Sequence, residues 1–108
     1  MVSFTSRAKR KYVQRVLQHQ ATDTLIKGTG WEHGKGCAVG CTLHAYDHAR
    51  YPLELGVPIE LAYLEDAIFE GLSPQDARQW PVQFLRAIPP NTDLSGVFPA
   101  FVMWLLTL

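Results

Sequence analysis

The chain has 108 residues and a mass of 12.2 kDa, with ten Lys+Arg against ten Asp+Glu and 47% hydrophobic residues. That balance excludes a disordered or fibrous polypeptide and fits a single domain able to bury a core of its own. Two cysteines are too few for a disulfide-stapled secreted scaffold, so thiols, metal ligands or redox partners are the readings left for Cys37 and Cys41.

Neutrality hides an asymmetry. Residues 1–36 hold seven basic and two acidic side chains, a local charge of +5, and residues 37–108 hold three basic and eight acidic ones, −5. Either the halves face each other, or the basic end meets an acidic partner or nucleic acid. No apolar stretch follows the early basic residues, so no leader is expected. The longest apolar run, 97–106, is interrupted by Pro99 and is far shorter than the roughly 18–20 residues of a membrane span. The expected setting is soluble, reducing and cytoplasmic, with no membrane partner.

In chain order, residues 6–26 read as a helix. Ala8, Tyr12, Val16, Leu25 and Ile26 recur near helical spacing, Ser3, Thr5 or Ser6 is available as the cap, and Gly28 ends it. Residues 28–36 hold four glycines and read as a loop. Residues 37–51 read as one second helix, stopped by Pro52. A third is expected over 58–69, with Glu65, Asp66 and Glu70 outside its apolar face. Ser73-Pro74-Gln75-Asp76 carries the start signals of a fourth, which Pro81 is expected to kink or split into 74–79 and 81–88. Thr92 or Asp93 can cap a last helix from residue 94 onward. No segment alternates with period two and no Asn-Gly or Asp-Gly turn is present. The predicted fold is all-α, a compact orthogonal bundle of about five helices in a single domain over 1–108.

The segment 33–48 holds both cysteines and three of the four histidines. On one continuous helix, Cys37, Cys41, His44 and His48 fall within roughly 60° of one another, a stripe that Tyr51 extends. Three readings follow. As metal ligands, Cys37, Cys41, His44 and His48 have the right types for zinc. Four ligands spread over about 16 Å of straight helix cannot surround one ion, though, so His33 or a carboxylate from elsewhere would have to join an i,i+4 pair. As a catalytic thiol, Cys37 follows a glycine-rich turn at a helix N-terminus beside Lys35. Both would lower its pKa, with His33 or His44 as base, Asp47 or Glu54 orienting it, and the turn's N–H groups holding an oxyanion. As core, the cysteines are small hydrophobes, the histidines are satisfied interior groups, and the glycines let backbone segments approach closely.

Two further features carry expectations. Arg7, Lys9, Arg10, Lys11 and Arg15 place five positive charges in nine residues, either as a phosphate-contacting face or as a solvated helix surface. The apolar end, with Phe101, Trp104, Leu105 and Leu108, is either buried in its own core, paired with another polypeptide, or the front part of something longer.

The runs GKGCAVGCTLHAYDHARYPLELGVP, LAYLEDAIFEGL and FLRAIPPNTDLS, within residues 7–97, resemble a group of small bacterial and phage-encoded helical proteins to which no activity is attached. The resemblance implies a bacterial or mobile-element origin and transfers no site residue. It also implies that chains of this kind often continue further. The expected function is that of a small helical accessory or regulatory protein acting by association with another protein or with itself, modulating a host system. The alternatives are a thiol- or metal-dependent enzyme at Cys37, Cys41, His33, His44 and His48, and a nucleic-acid binder through the basic first helix.

Overall fold

Helix α1 spans Ser6–Ala21, and the computed structural model as a whole describes residues 3–108. Met1 and Val2, which open the stretch read for a leader, lie outside the described residues. Thr5 caps α1 by accepting a hydrogen bond from the Ala8 N–H at 3.0 Å. The helix ends five residues earlier than its periodicity suggests. Thr22 and Thr24 turn their hydroxyls back to the Gln18 and His19 carbonyls, and Asp23 takes a left-handed φ of 58°. Leu25 and Ile26 therefore leave the helix. They run beside Gly36, the Ile26 N–H donating to the Gly36 carbonyl at 2.8 Å and the Gly36 N–H to that of Thr24 at 3.1 Å.

The glycine-rich segment is not a plain loop. Strands β1 (Trp31–Glu32) and β2 (Lys35–Gly36) pair antiparallel around the two-residue turn His33-Gly34. Both turn residues have positive φ, 53° and 76°, as the tight hairpin turns that match strand twist require. His-Gly here does the work usually signalled by Asn-Gly.

The expected helix over 37–51 does not form as one piece. Helix α2 is Ala38–Leu43 only, closed by His44 in the left-handed region (φ 58°). Asp47 then folds a side-chain turn, Oδ1 accepting from the Ala49 N–H at 3.1 Å, and Tyr51–Leu55 makes one π-helical turn. Gly56 (φ 77°) closes that turn and must be glycine for a second reason: a Cβ there would run into the backbone of Ser3 and Phe4.

Helix α3 (Ile59–Gly71) and helix α4 (Pro74–Ala87) follow the expected order. Ser73 caps α4, accepting from the Asp76 N–H at 3.2 Å with Pro74 in the first turn. Pro81 does not split α4, which runs unbroken, its ring itself buried. Helix α5 (Val97–Leu106) starts three residues later than expected and has no side-chain cap; Asp93 instead accepts from the Ser95 N–H at 2.9 Å.

The predominantly helical class is as expected, with one small hairpin added. Helix α2 lies between α1 and α3, and α4 covers both of those. Phe4, Val16, Val39, Tyr51, Leu55, Val57, Phe69 and Leu85 form the core. Lys9 ties α1 to the end of α4, its Nζ donating to the Arg86 and Ile88 carbonyls at 2.8 and 2.6 Å. The radius of gyration, 13.3 Å, is close to the roughly 13 Å expected for a compact chain of this length.

Candidate functional site

With the long helix broken at His44, the four-residue stripe disperses. Cys37 and Cys41 stay inside, His44 turns to the surface and His48 is carried to α3. Among the described residues no group of three or more His, Cys, Asp or Glu side chains is arranged to hold a metal ion. The set Cys37, Cys41, His44 and His48 thus loses the common face on which its zinc reading stood, for a backbone reason: a left-handed residue ends one helical face and starts another direction.

The cysteines sit in a packed seam. Gly30, Gly36 and Gly40 let the loop, β2 and α2 touch backbone to backbone, and a Cβ on Gly36 or Gly40 would land on the Gly30 carbonyl. The Cys37 N–H is used by the Thr29 and Gly30 carbonyls at 2.8 and 3.1 Å, the Val39 N–H by Asp66 and the Gly40 N–H by the Cys37 sulfur. The turn that could have cradled an oxyanion has spent these donors internally. Both cysteines are free and buried. Burial pushes the Cys37 thiol far up, with the neighbouring Asp66 carboxylate adding to the rise, and pushes Cys41 up to about 12. The expected activation of Cys37 runs the opposite way, because desolvation of a thiolate outweighs the short helix behind it. Lys35 and His33 are exposed on the hairpin, His33 lying 3.4 Å from Glu32, and neither meets the sulfur. Asp47 and Glu54 serve a turn and Arg50, not a histidine.

Two polar groupings emerge instead. The first is interior. His48 Nε2 donates to Asp66 Oδ2 at 2.9 Å and its ring stacks on Tyr63, with Tyr46 at its edge. The residue before Asp66, Glu65, is fully buried and accepts from the Tyr51 hydroxyl at 2.6 Å, while its Oε2 has no partner. Burial raises its pKa to about 8, so it is a neutral acid near pH 7. Glu65 and Asp66 therefore lie on the buried side of α3, contrary to the expectation that they face solvent. The buried face of α3 is Leu61, Ala62, Glu65, Asp66 and Phe69, and the two acids find Tyr51 and His48 across it.

The second grouping is at the surface. His19, on the last turn of α1, and His44, at the end of α2, bring their Nε2 atoms to 2.9 Å. Trp31 stacks on His44 at 4.7 Å and meets His19 edge-on. A cavity of about 280 Å³ opens beside them, lined by Arg15, Gln18, Thr22, Thr24 and Gly34 as well as the two rings. His19 was invisible to spacing arguments because its partner lies 25 residues away.

The interface residues differ again. Not one α5 residue is buried. Met103, Trp104, Leu105, Leu106 and Leu108 are half to four-fifths exposed, and Phe101 is half-buried against the groove of Leu61, Leu64, Trp80 and Phe84. Burial of this helix in its own core, one of the three expectations, is not what the fold provides. Of the basic residues of α1, Lys9 is committed to the end of α4 and Arg15 Nη1 to the Thr42 carbonyl at 2.9 Å. That leaves a smaller cationic face than the sequence count suggests. No helix among the described residues is long and apolar enough to cross a membrane. Compared with models of known protein families, with curated proteins and with solved structures, the chain matches none of them.

Proposed function

We propose that this chain is a helical accessory protein that acts by association, with α5 as its docking element and a second copy of the chain as the occupant. The observation that carries the reading is a ten-residue helix with no charged residue and no buried one. A helix that is apolar all round is ordinarily buried on every side. Val97, Met103, Trp104, Leu105, Leu106 and Leu108 are 43 to 82% exposed and adjacent along the chain, a run of apolar surface of the kind that protein–protein contacts cover. Two such helices meet without like charges, so pairing costs no electrostatic repulsion. The apolar groove of about 280 Å³ beside Phe101 supplies a seat for the partner's aromatic side chain. A bacterial or phage origin and action on a host system belong to the same proposal and rest on sequence resemblance alone.

Light scattering on the purified chain tests it. The expected result is a concentration-dependent mass approaching twice 12.2 kDa in the native protein, shifted to the single-chain mass by Trp104→Glu and Leu105→Glu with unchanged far-UV circular dichroism. A native mass of one chain at every concentration contradicts the proposal.

A further inference from the structure

We propose that the cleft between the first half of α1 and the end of α4 binds the phosphate group of a small phosphomonoester. The cleft has a volume of about 340 Å³ and is lined by Ser6, Lys9, Arg10 and Val13 of α1 and by Arg86 and Pro90 at the end of α4. Its lining holds three cations and a hydroxyl and no carboxylate, although the chain has ten acidic side chains. Cations gathered without a counter-charge repel one another, and an anion seated among them relieves that repulsion.

The backbone fixes where these cations stand. Lys9 Nζ donates to the Arg86 and Ile88 carbonyls at 2.8 and 2.6 Å, so Arg86 leaves the main chain at a residue that α1 itself holds. The Asn91 N–H donates to the Phe4 carbonyl at 2.9 Å, which keeps the Pro90 segment beside the start of α1. Lys9 is thus the clasp of the cleft, and its charge adds to those of the two arginines. Arg10 and Arg86 are exposed and, among the described residues, enter no ion pair; every ion pair lies elsewhere, at Glu32, Asp66, Glu54 and Asp23. Each guanidinium is a planar fork that can give two parallel N–H donors to phosphate oxygens.

The charge and shape of the cleft select the ligand. Three cations converging on one cavity match the dianion of a phosphomonoester. A nucleic-acid backbone carries one charge per phosphate and is met by cations strung along a surface. Half-buried Val13 and Pro90 give the cleft an apolar wall on which the carbon part of the ester rests. The cleft shares no residue with the groove beside α5, so this site is independent of the docking helix.

Phenyl phosphate titrated into the full-length chain at pH 7.5 and low salt, followed by ¹H–¹⁵N spectra, tests the assignment. The expected result is saturable shifts at the Nε–H groups of Arg10 and Arg86, with inorganic phosphate binding more weakly than the ester. Arg10→Gln and Arg86→Gln, both at exposed positions, should each weaken binding at least about tenfold with unchanged far-UV circular dichroism. Arg7→Gln removes the same charge from the same helix outside the cleft and should leave the affinity within about twofold. Absence of saturable shifts, an Arg7→Gln loss equal to that of Arg10→Gln, inorganic phosphate binding as tightly as the ester, or a 20-nucleotide DNA strand binding these arginines more tightly than phenyl phosphate would each overturn it.

Discussion

Helices α2 and α5 are alike in composition and opposite in placement. Each is short, uncharged and mostly aliphatic or aromatic, yet every residue of α2 is buried and none of α5 is. Hydropathy does not separate them; backbone contact does. Gly36 and Gly40 remove the side chains that would hold β2 and α2 away from the Gly30 backbone, and α1 and α3 close over the other sides of α2. Helix α5 follows the Pro89-Pro90 turn and rests on the body through Phe98, Phe101 and the groove edge, with no residue fully buried. The apolar surface of α2 is part of the fold, whereas that of α5 stays on the outside.

The sharpest way to break this contrast is at the glycine seam. Gly40→Ala puts a methyl on the Gly30 carbonyl, where no flexible side chain can yield, and should cost at least about 3 kcal/mol or leave the chain unfolded. Gly71→Ala, with open space around it, should leave the urea midpoint unchanged or slightly higher.

The next effect is a pH dependence centred on Glu65. Its folded pKa of about 8 stands above its ordinary 4.5, so between these values the folded state keeps a proton that the unfolded state releases. Its contribution is complete below about pH 4.5 and is lost as pH rises through about 8, at no more than about 1.4 kcal/mol per pH unit. Glu65→Gln keeps an acceptor for Tyr51 and should remove this slope from urea midpoints measured at pH 5, 7 and 9.

Smaller again is the cost of the interior thiols. Cys37→Ala deletes the sulfur that accepts from Gly40 and opens a small void, about 1–2 kcal/mol. In the native protein neither thiol should react with Ellman's reagent at pH 8, and both should react once guanidinium unfolds the chain. Smallest is Leu106→Ser in α5, which should move the stability of the isolated chain by under about 0.5 kcal/mol.

The sequence made helix starts and stops legible where a cap or proline marks them. Ser73-Pro74 opens α4 as expected, and Gly71 and Pro89 bound the neighbouring ends. It did not reveal the break at His44. No Gly or Pro stands between Thr42 and Tyr51, and the periodicity there satisfies a helix that the left-handed residue and the Asp47 turn replace. The Cys/His stripe was a consequence of that single assumption and dispersed with it. Glu65 and Asp66 read as a solvent face because their partners, Tyr51 and His48, lie 14 and 18 residues away and no local spacing encodes the pairing. The uncapped apolar end was visible in the sequence, and the fold narrowed its three readings by leaving α5 on the outside.

Hydrogen exchange of the native chain, followed from low to high protein concentration, tests the central contrast most directly. The account predicts slow exchange of α2 amides at every concentration and protection of α5 amides that grows as copies associate. Protection of α5 equal to that of α2 in the dilute single chain, or α5 amides that stay open at concentrations where light scattering gives the paired mass, would contradict it.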